Sequence, residues 1–297
     1  MKTYSIENEY LSLSVVEFGA RIHQLTYKDS YGSQELVHSL HKPEMYRDDT
    51  TCLNAVVGRF AGRICSESIS IDGIDYPIKT NKGVHLHGGE GFSTKDWKLE
   101  SISSGANPSI KLSYLSKHLD DGYPGTLNVS VTYTLNKSTL EVEMNAETDQ
   151  TTLVNLTHHA YFRLDDLKEL NQLAFKIPSP SILECKDNLC PSGALIDLKE
   201  HPFNFNQQKP LESLRLDTPY VIDHSRPIEV YSPLTKMKLE VRSNQNCAVI
   251  YTPNSGIGFC IETQNYPNSP NCENFPAAEL KKGELYKNLT QFEFSRE

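Results

Sequence analysis

Two stretches, Leu127-Asn-Val-Ser-Val-Thr-Tyr-Thr-Leu135 and Leu140-Glu-Val-Glu-Met144, decide the fold class of this chain. In both, an apolar residue alternates with a polar one. Successive side chains of a β-strand point to opposite faces of a sheet, so this pattern is typical of strands with one buried face. The alternation returns at Ile110–Leu115, at Met237–Val241 and at Phe292–Phe294. We therefore predict an all-β protein.

Turn signals separate the strand patterns, and helical patterns are few. Asp72-Gly73 and Asn254–Gly256 are examples of the turns. Short helices are predicted over Asp165–Ala174 and over Pro210–Leu216. Many short strands spaced by turns favour a sandwich or a barrel over βαβ units. Because such folds often exceed about 200 residues as one unit, and no linker or repeat interrupts the chain, we predict a single domain over residues 1–297.

The bulk composition excludes several classes of partner. The formal net charge is −9, and acidic and basic residues are mixed along the chain. A nucleic-acid or anionic-membrane partner would call for clustered Lys and Arg, so neither is expected. The first 22 residues contain no continuous apolar run, so we predict neither a secretory signal nor a membrane span.

The cysteines indicate a reducing compartment and no metal site. Seven cysteines are scattered along the chain, and Cys185 and Cys190 lack the spacing of a zinc pair. We predict that all are free thiols and that the protein is cytoplasmic.

Histidines are the first candidates for chemistry. In a strand His158 and His159 point to opposite faces, so at most one of them can enter a given pocket. For any single histidine a surface or a structural role is the more frequent one. His87 is more suggestive, because the glycines Gly88 and Gly89 that follow allow close approach of a ligand.

A carboxylate and two arginines complete the set. Glu262 follows the apolar run Gly256–Ile261, where burial would raise its pKa toward that of a general base; a surface ion pair at a strand end is an equally open interpretation. Arg59 and Arg63 belong to no phosphate loop, and the chain has no nucleotide fingerprint, nucleophile elbow or HExxH motif. This inventory suits proton transfer on a polar neutral substrate without a cofactor. It predicts a carbohydrate-acting enzyme or a lectin.

Six motifs, in order along most of the chain, resemble those of the aldose 1-epimerase (galactose mutarotase) family. Any one of them could arise by chance, but six in the right order are very hard to obtain by accident. The resemblance implies a large antiparallel β-supersandwich that binds a sugar in a cleft on one face of a sheet. The motifs are Asn54–Ile64, Val84–Trp97, Asp121–Leu127, Asn155–Leu164, Glu262–Pro267 and Leu280–Tyr286.

The resemblance also implies a role for each matching residue. Glu262 is the expected general base, which takes the proton of the anomeric C1 hydroxyl, and His159 is the expected general acid, which protonates the ring oxygen O5. His87, Arg63 and Asp217 match sugar-binding positions. The implied enzyme is an isomerase of free aldoses such as galactose or glucose, with no metal or cofactor, acting as a monomer or weak homodimer.

Several positions depart from the family pattern, and they bear on which sugar is preferred. Gly62 stands where the family has Asn, and His158 and Arg163 also stand where Asn is common. Asp217 is followed by Thr where the family has His. Asp223 precedes a histidine but is out of register with the strand that follows, so Asp217 is the preferred assignment.

Three other functions remain open. A non-catalytic carbohydrate-binding relative would be expected to lose His159 or Glu262, and both are present. A hexose-6-phosphate epimerase would need cations for the phosphate, for which Arg59 and Arg163 are candidates. A disaccharide epimerase would need insertions around a second sugar, and no obvious insertion is present.

Four residues near the motifs are predicted to be structural. His85 has no family match, Arg59 is expected to hold the sheet or the pocket wall, Trp97 is expected in the core or the wall, and Cys260 is expected to be a packing thiol because no base is positioned to activate it.

Overall fold

The computed structural model describes residues 1–165 and 170–297, and strands dominate it. The first strands are β1 (Thr3–Glu7), β2 (Leu11–Val16), β3 (Arg21–Asp29), β4 (Gly32–Glu35), β5 (Val56–Val57), β6 (Arg63–Ile64), β7 (Ser68–Ile71), β8 (Ile74–Pro77) and β9 (His85–Leu86). The next are β10 (Lys98–Ser103), β11 (Ser109–Ser116), β12 (Leu127–Asn136), β13 (Thr139–Thr148), β14 (Thr152–Leu153), β15 (Thr157–His158), β16 (Ala174–Lys176), β17 (Ser181–Cys185) and β18 (Pro191–Asp197). The last are β19 (Lys209–Pro210), β20 (Asp217–Val221), β21 (Ile228–Tyr231), β22 (Met237–Ser243), β23 (Cys247–Tyr251), β24 (Cys260–Gln264), β25 (Glu279–Leu280) and β26 (Tyr286–Arg296).

Helical structure in the described part of the chain is limited to short 3-10 segments. They are Pro43–Asp48, Phe92–Thr94, Asp120–Gly122 and Ser269–Asn271. Within residues 1–165 and 170–297, no helix has the length and apolar character that crossing a bilayer would require.

The alternating stretches form the largest sheet of the described residues. Its nine strands lie in the order β10-β11-β12-β13-β26-β22-β21-β16-β19, with antiparallel neighbours. Along β12 the apolar residues are fully buried, and the polar residues between them are exposed or half-buried. This alternation confirms the predicted strands at Ile110–Leu115, Leu127–Leu135, Leu140–Met144, Met237–Val241 and Phe292–Phe294.

A second sheet, of five strands, positions the functional side chains. Its order is β18-β17-β20-β23-β24. Ile250 and Ile261 face one way and belong to the main apolar cluster. The alternate residues face the other way, and the register places Asp217 opposite Tyr251, and Val249 opposite Glu262. Apolar side chains from this sheet, from the nine-stranded sheet and from the sheet β1-β2-β3-β4 share one core, which is the predicted antiparallel sandwich.

One helix prediction is wrong, and another lies partly outside the described residues. Pro210 ends β19 and a turn follows it, with no helix before Leu216. The helix predicted over Asp165–Ala174 includes residues 166–169, which lie outside the described residues; residues 170–173 are not helical, and Ala174 begins β16. Pairing of β19 with β16, and of β20 with β17 and β23, fixes both ends of the short segment 210–216, so tertiary contacts override its helical propensity.

The prediction of seven free thiols is also wrong. Cys65 and Cys190 form a disulfide across 125 residues of sequence. Their spacing carries no signal of a bond, because the fold alone brings them together. The five remaining cysteines are free.

Candidate active site

A cavity of about 260 Å³ lies on the face of the five-stranded sheet that is turned away from the core. All five residues assigned by the resemblance line it, together with aromatic, apolar and thiol side chains. Its volume and mixed lining suit a small polar molecule. The lining includes Arg63, His87, His159, Tyr161, Cys185, Leu189, Pro191, Asp217, Val249, Tyr251 and Glu262.

A two-stranded ribbon holds His87 and Arg63 side by side. β6 pairs with β9, and just beyond the pairing the His87 N–H donates to the Gly62 carbonyl oxygen (3.0 Å). The Gly62 N–H in turn donates to Nδ1 of His87 (3.2 Å). Neutral His87 therefore carries its proton on Nε2. Burial, with the nearby charges of His159 and Arg63, lowers the pKa of His87 well below its ordinary value, so the ring stays neutral.

Only one of the two adjacent histidines reaches the cavity, as strand geometry predicts. His158 is buried against the ring of Tyr133, and burial lowers its pKa to about 3. His159 lines the cavity and stacks on Tyr161, with 5.1 Å between ring centroids. Its Nδ1 lies 3.5 Å from Sγ of Cys260, so the expectation that no base lies near this thiol is wrong. Burial nevertheless raises the pKa of Cys260 well above its ordinary value, which keeps the thiol protonated.

His159 and Glu262 form a buried pair. Nε2 of His159 lies 3.4 Å from Oε1 of Glu262, and the two side chains are 5% and 4% exposed. Oε2 of Glu262 is also buried and has no hydrogen-bond partner among the described residues. A buried acceptor without a partner is costly unless a ligand completes it.

Burial sets the protonation of this pair. It raises the pKa of Glu262 to about 8; the charge of Asp217 acts in the same direction and that of Arg63 against it. Burial lowers the pKa of His159 to about 4. Between these two values the pair holds one proton, which resides on Glu262, and the 3.4 Å contact with Nε2 of His159 allows it to pass to the imidazole.

Arg63 and Asp217 place a hydrogen-bond donor and an acceptor at the cavity wall. Nη2 of Arg63 lies 3.2 Å from Oδ2 of Asp217, and both side chains are partly exposed. Asp223, the other aspartate considered, instead pairs with Arg226 at 2.7 Å and does not line this cavity. The geometry therefore favours Asp217 over Asp223 as a cavity residue.

Sequence reasoning missed two groups of wall residues. Tyr161 lies two residues after His159, inside a motif already recognised, so its position in the chain was a usable signal. Tyr251 lines the cavity because it pairs with Asp217. Leu189 and Pro191 line it because they belong to the hairpin of β17 and β18. The pairing of Tyr251 with Asp217, and the placement of the hairpin beside the cavity, depend on contacts between distant parts of the chain, which no local pattern reveals.

His85 and Trp97, both predicted to be structural, are buried and make hydrogen bonds outside the cavity. The ring nitrogens of His85 lie 2.7 Å from the Lys79 carbonyl oxygen and 2.8 Å from the Tyr123 hydroxyl. His85 and His87 do not share a face, because His87 adopts a positive φ of 53° and leaves the strand. Trp97 is 2% exposed and donates to the Phe92 carbonyl oxygen, which confirms a core role.

The arginines considered for a phosphate do not lie at the cavity. Arg59 is 2% exposed and donates to the hydroxyl and carbonyl oxygens of Ser116 and to the Pro124 carbonyl oxygen. It holds the wall structure, as predicted. Arg163 is likewise not among the residues that line the cavity in the described part of the chain.

The cavity also contains a set of potential metal ligands. One donor atom each from His87, His159 and Glu262 lie within 4.8 Å of one another in the described chain. Two imidazoles and a carboxylate could hold a divalent cation. Proton transfer by the same side chains requires none, and a chelator separates the two uses.

The fold and the cavity define a class of all-β protein that binds a small polar molecule beside a buried imidazole–carboxylate pair. The sequence model of a family described as aldose 1-epimerase matches residues 2–293. The galactose mutarotase of Sus scrofa is 30% identical over 326 aligned positions, which cover 99% of this chain and 94% of that protein. The aldose 1-epimerase of Haemophilus influenzae is 28% identical and covers 85% of this chain and 84% of that protein. The crystal structure of an aldose epimerase homologue from C. elegans superposes with a TM-score of 0.94 at 26% identity and covers 99% of both chains. This chain belongs to the aldose 1-epimerase family.

Proposed function

We propose that this protein is an aldose 1-epimerase, an isomerase that interconverts the α and β anomers of a free aldose such as galactose or glucose. The observation that carries the proposal is the pair of His159 and Glu262, 3.4 Å apart and buried at one cavity with Arg63 and Asp217. Family membership supports the same activity.

Opening the ring of a hemiacetal requires one proton to leave and another to arrive. In the reactive form of the pair, the shared proton has moved from Glu262 to His159 across their 3.4 Å contact. Glu262, now a carboxylate, takes the proton of the C1 hydroxyl while His159 delivers its proton to O5, and the C1–O5 bond breaks. The open aldehyde rotates about C1–C2, the O5 hydroxyl attacks either face of C1, and the two transfers run in reverse. Because each half-reaction takes one proton from the sugar and returns one, a pair that holds a single proton suffices.

The remaining cavity residues orient the sugar. Neutral His87 donates from Nε2 to a sugar oxygen, Arg63 donates to hydroxyls, and Asp217 accepts from them. Tyr161 and Tyr251 provide aromatic surface for the apolar face of the ring.

Polarimetry on freshly dissolved α-D-galactose and α-D-glucose, with a chelator present, tests the proposal. We expect the protein to accelerate equilibration, and Glu262→Gln and His159→Ala to lower kcat by about 10²- to 10⁴-fold each, the usual contribution of a positioned acid or base. The matched controls are Glu273→Gln and His224→Ala, both on exposed residues.

Absence of acceleration on all free aldoses would overturn the proposal. The same assay with glucose 6-phosphate then identifies a phosphosugar enzyme, and sugar binding without turnover identifies a non-catalytic relative. Dependence on an added divalent cation would replace the acid–base pair by a metal site.

The proposal extends to partners and location. We propose a small-molecule aldose as the only required partner and a monomer or weak homodimer as the assembly, which analytical ultracentrifugation tests. A cytoplasmic location is proposed as well, and cell fractionation tests it. Disulfides are rare in compartments that keep thiols reduced. The fraction of protein that carries the Cys65–Cys190 disulfide in the cell should therefore be measured together with the location.

A further inference from the structure

One wall of the cavity is the turn of a hairpin. β17 and β18 pair so that Cys185 lies opposite Pro191, and the turn between them is closed by the Lys186 N–H, which donates to the Cys190 carbonyl oxygen (2.9 Å). Cys185, Leu189 and Pro191 all line the cavity. The position of this turn therefore determines the width of the site on that side.

Two links tie this turn to the strand that carries Arg63. The disulfide joins Cys190, in the turn, to Cys65, two residues after Arg63. The side chain of Asn268 forms the second link: its Oδ1 accepts from the Cys65 N–H (2.9 Å) and its Nδ2 donates to the Pro191 carbonyl oxygen (2.9 Å). Asn268 also donates its own N–H to the Arg63 carbonyl oxygen (2.7 Å). One covalent and one polar link thus span the same two segments.

We propose that the Cys65–Cys190 disulfide is a positioning element of the sugar site, which holds the hairpin wall and Arg63 at the spacing that binds the sugar. Its reduction by a dithiol weakens sugar binding and leaves proton transfer almost unchanged. This inference rests on the proposed function.

Binding rather than chemistry is affected because the acid–base pair is held elsewhere. His159 is fixed by its N–H, which donates to the Ala55 carbonyl oxygen (2.9 Å), and Glu262 by the pairing of β24 with β23. Neither of these contacts involves the hairpin turn. When the disulfide opens, by contrast, the covalent link between the Arg63 segment and the turn is lost and the hydrogen bonds of Asn268 remain. If the binding-competent arrangement then falls to between about a third and a tenth of the population, the apparent affinity falls by about 3- to 10-fold.

The redox step is balanced by an external dithiol. The S–S bond breaks, Cys65 and Cys190 each gain a hydrogen, and the dithiol closes to its own disulfide after giving up two electrons and two protons. Cys185, which faces Pro191 across the hairpin, does not attack the disulfide in place of the dithiol. Burial raises the pKa of this thiol to about 11, so little of it is the nucleophilic thiolate.

The test compares oxidised and dithiothreitol-reduced protein in the anomerisation assay, with kcat and KM separated and the thiols counted by mass spectrometry after alkylation. We expect reduction to raise KM by about 3- to 10-fold and to change kcat less than twofold. The Cys65→Ser/Cys190→Ser double variant is the matched control: it should have the raised KM and show no response to dithiothreitol.

A second variant separates positioning from general loosening. Asn268→Gly removes the side-chain bonds to Cys65 and Pro191, together with those to Asn271 and Cys272, and tolerates the positive φ of 60° at this residue. We expect a small rise in KM in the oxidised protein and a larger one in the double-serine background, because the two links act on the same segments. Circular dichroism and a melting curve verify that each variant is folded at the assay temperature.

Equal KM in the oxidised and reduced enzyme would overturn the inference, as would a fall in kcat with KM unchanged, or an equal response of the double-serine variant to dithiothreitol. An inactive oxidised wild type contradicts the proposed function instead, so the two failures are distinguishable.

Discussion

Glu262 is surrounded by groups that pull its pKa in opposite directions. Burial raises it, Asp217 raises it further, and Arg63 lowers it, with a result of about 8. His159 across the pair has a pKa lowered by burial to about 4. The proposed chemistry needs one proton on the pair, so it is available between these two values and is lost outside them.

The first prediction is a bell-shaped pH profile of kcat/KM, with an acid limb near pH 4 and an alkaline limb near pH 8. Asp217→Asn removes the negative charge that raises the pKa of Glu262, so the alkaline limb should move to lower pH. Arg63→Gln removes the opposing charge, so that limb should move to higher pH. Initial rates corrected for the uncatalysed reaction measure both, and a limb that moves the other way contradicts the assignment.

Gly62 departs from the family pattern, and its surroundings explain why a side chain is absent. Its φ is +76°, and a Cβ placed there would lie 2.8 Å from Cβ of Pro267. Restoring the family Asn is therefore predicted to destabilise the fold rather than to add a sugar contact.

The second prediction compares Gly62→Asn with Gly73→Asn. Gly73 has nearly the same φ, +77°, but nothing within 4 Å of the added Cβ, so it isolates the backbone cost from the clash. We expect Gly62→Asn to lower the free energy of unfolding by about 1–3 kcal/mol more than Gly73→Asn, the usual cost of overpacking. Urea denaturation measures the difference, and equal losses would refute a steric origin.

The two faces of strand β24 point to the core and to the cavity. Glu262 faces the cavity, and the next residue toward the N-terminus, Ile261, is fully buried on the core face. The same strand therefore carries the proposed base and a packing residue that holds it in place.

The third prediction concerns this packing residue. Ile261→Ala should lower the free energy of unfolding by about 2–5 kcal/mol and Ile261→Val by about 0.5–1.5 kcal/mol, because each leaves a cavity in a close-packed core. Leu115→Ala is the control, since Leu115 is 56% exposed and its loss should change stability by less than about 0.5 kcal/mol. A loss at Ile261 no larger than at Leu115 would contradict this role for β24.

Elements with a strong local period could be predicted from the sequence, and those set by distant pairing could not. The strands β12 and β13 can be predicted because the polarity of each side chain indicates whether it points to the core or to solvent. The opposition of His158 and His159 follows from the same rule. The Cys65–Cys190 bond and the placement of Tyr251 and of the Leu189 turn at the cavity depend on contacts between segments far apart in sequence, for which a single chain carries no local signal. The site residues themselves were reached through motif resemblance rather than through periodicity.

For the whole molecule, one apolar cluster connects the three largest sheets of the described residues. Leu13, Val131 and Ile261 come from the four-, nine- and five-stranded sheets and belong to the same cluster. A shared core couples the unfolding of the sheets, which supports the single-domain prediction.

The fourth prediction is a single cooperative unfolding transition of the disulfide-bonded protein. The calorimetric and van't Hoff enthalpies should agree, and fluorescence and circular dichroism should give the same midpoint. Two separated transitions would contradict a single domain.

Anomer exchange measured at equilibrium tests the proposed activity most directly. Two-dimensional exchange NMR of galactose in D₂O, with the wild type and Glu262→Gln, follows the H1 signals of the α and β forms. We predict that the wild type produces exchange between them, that Glu262→Gln abolishes it, and that no deuterium enters the C–H bonds at C1 or C2, since only hydroxyl protons move. Exchange that persists in Glu262→Gln, or deuterium that appears at C2, would contradict ring opening by the His159–Glu262 pair.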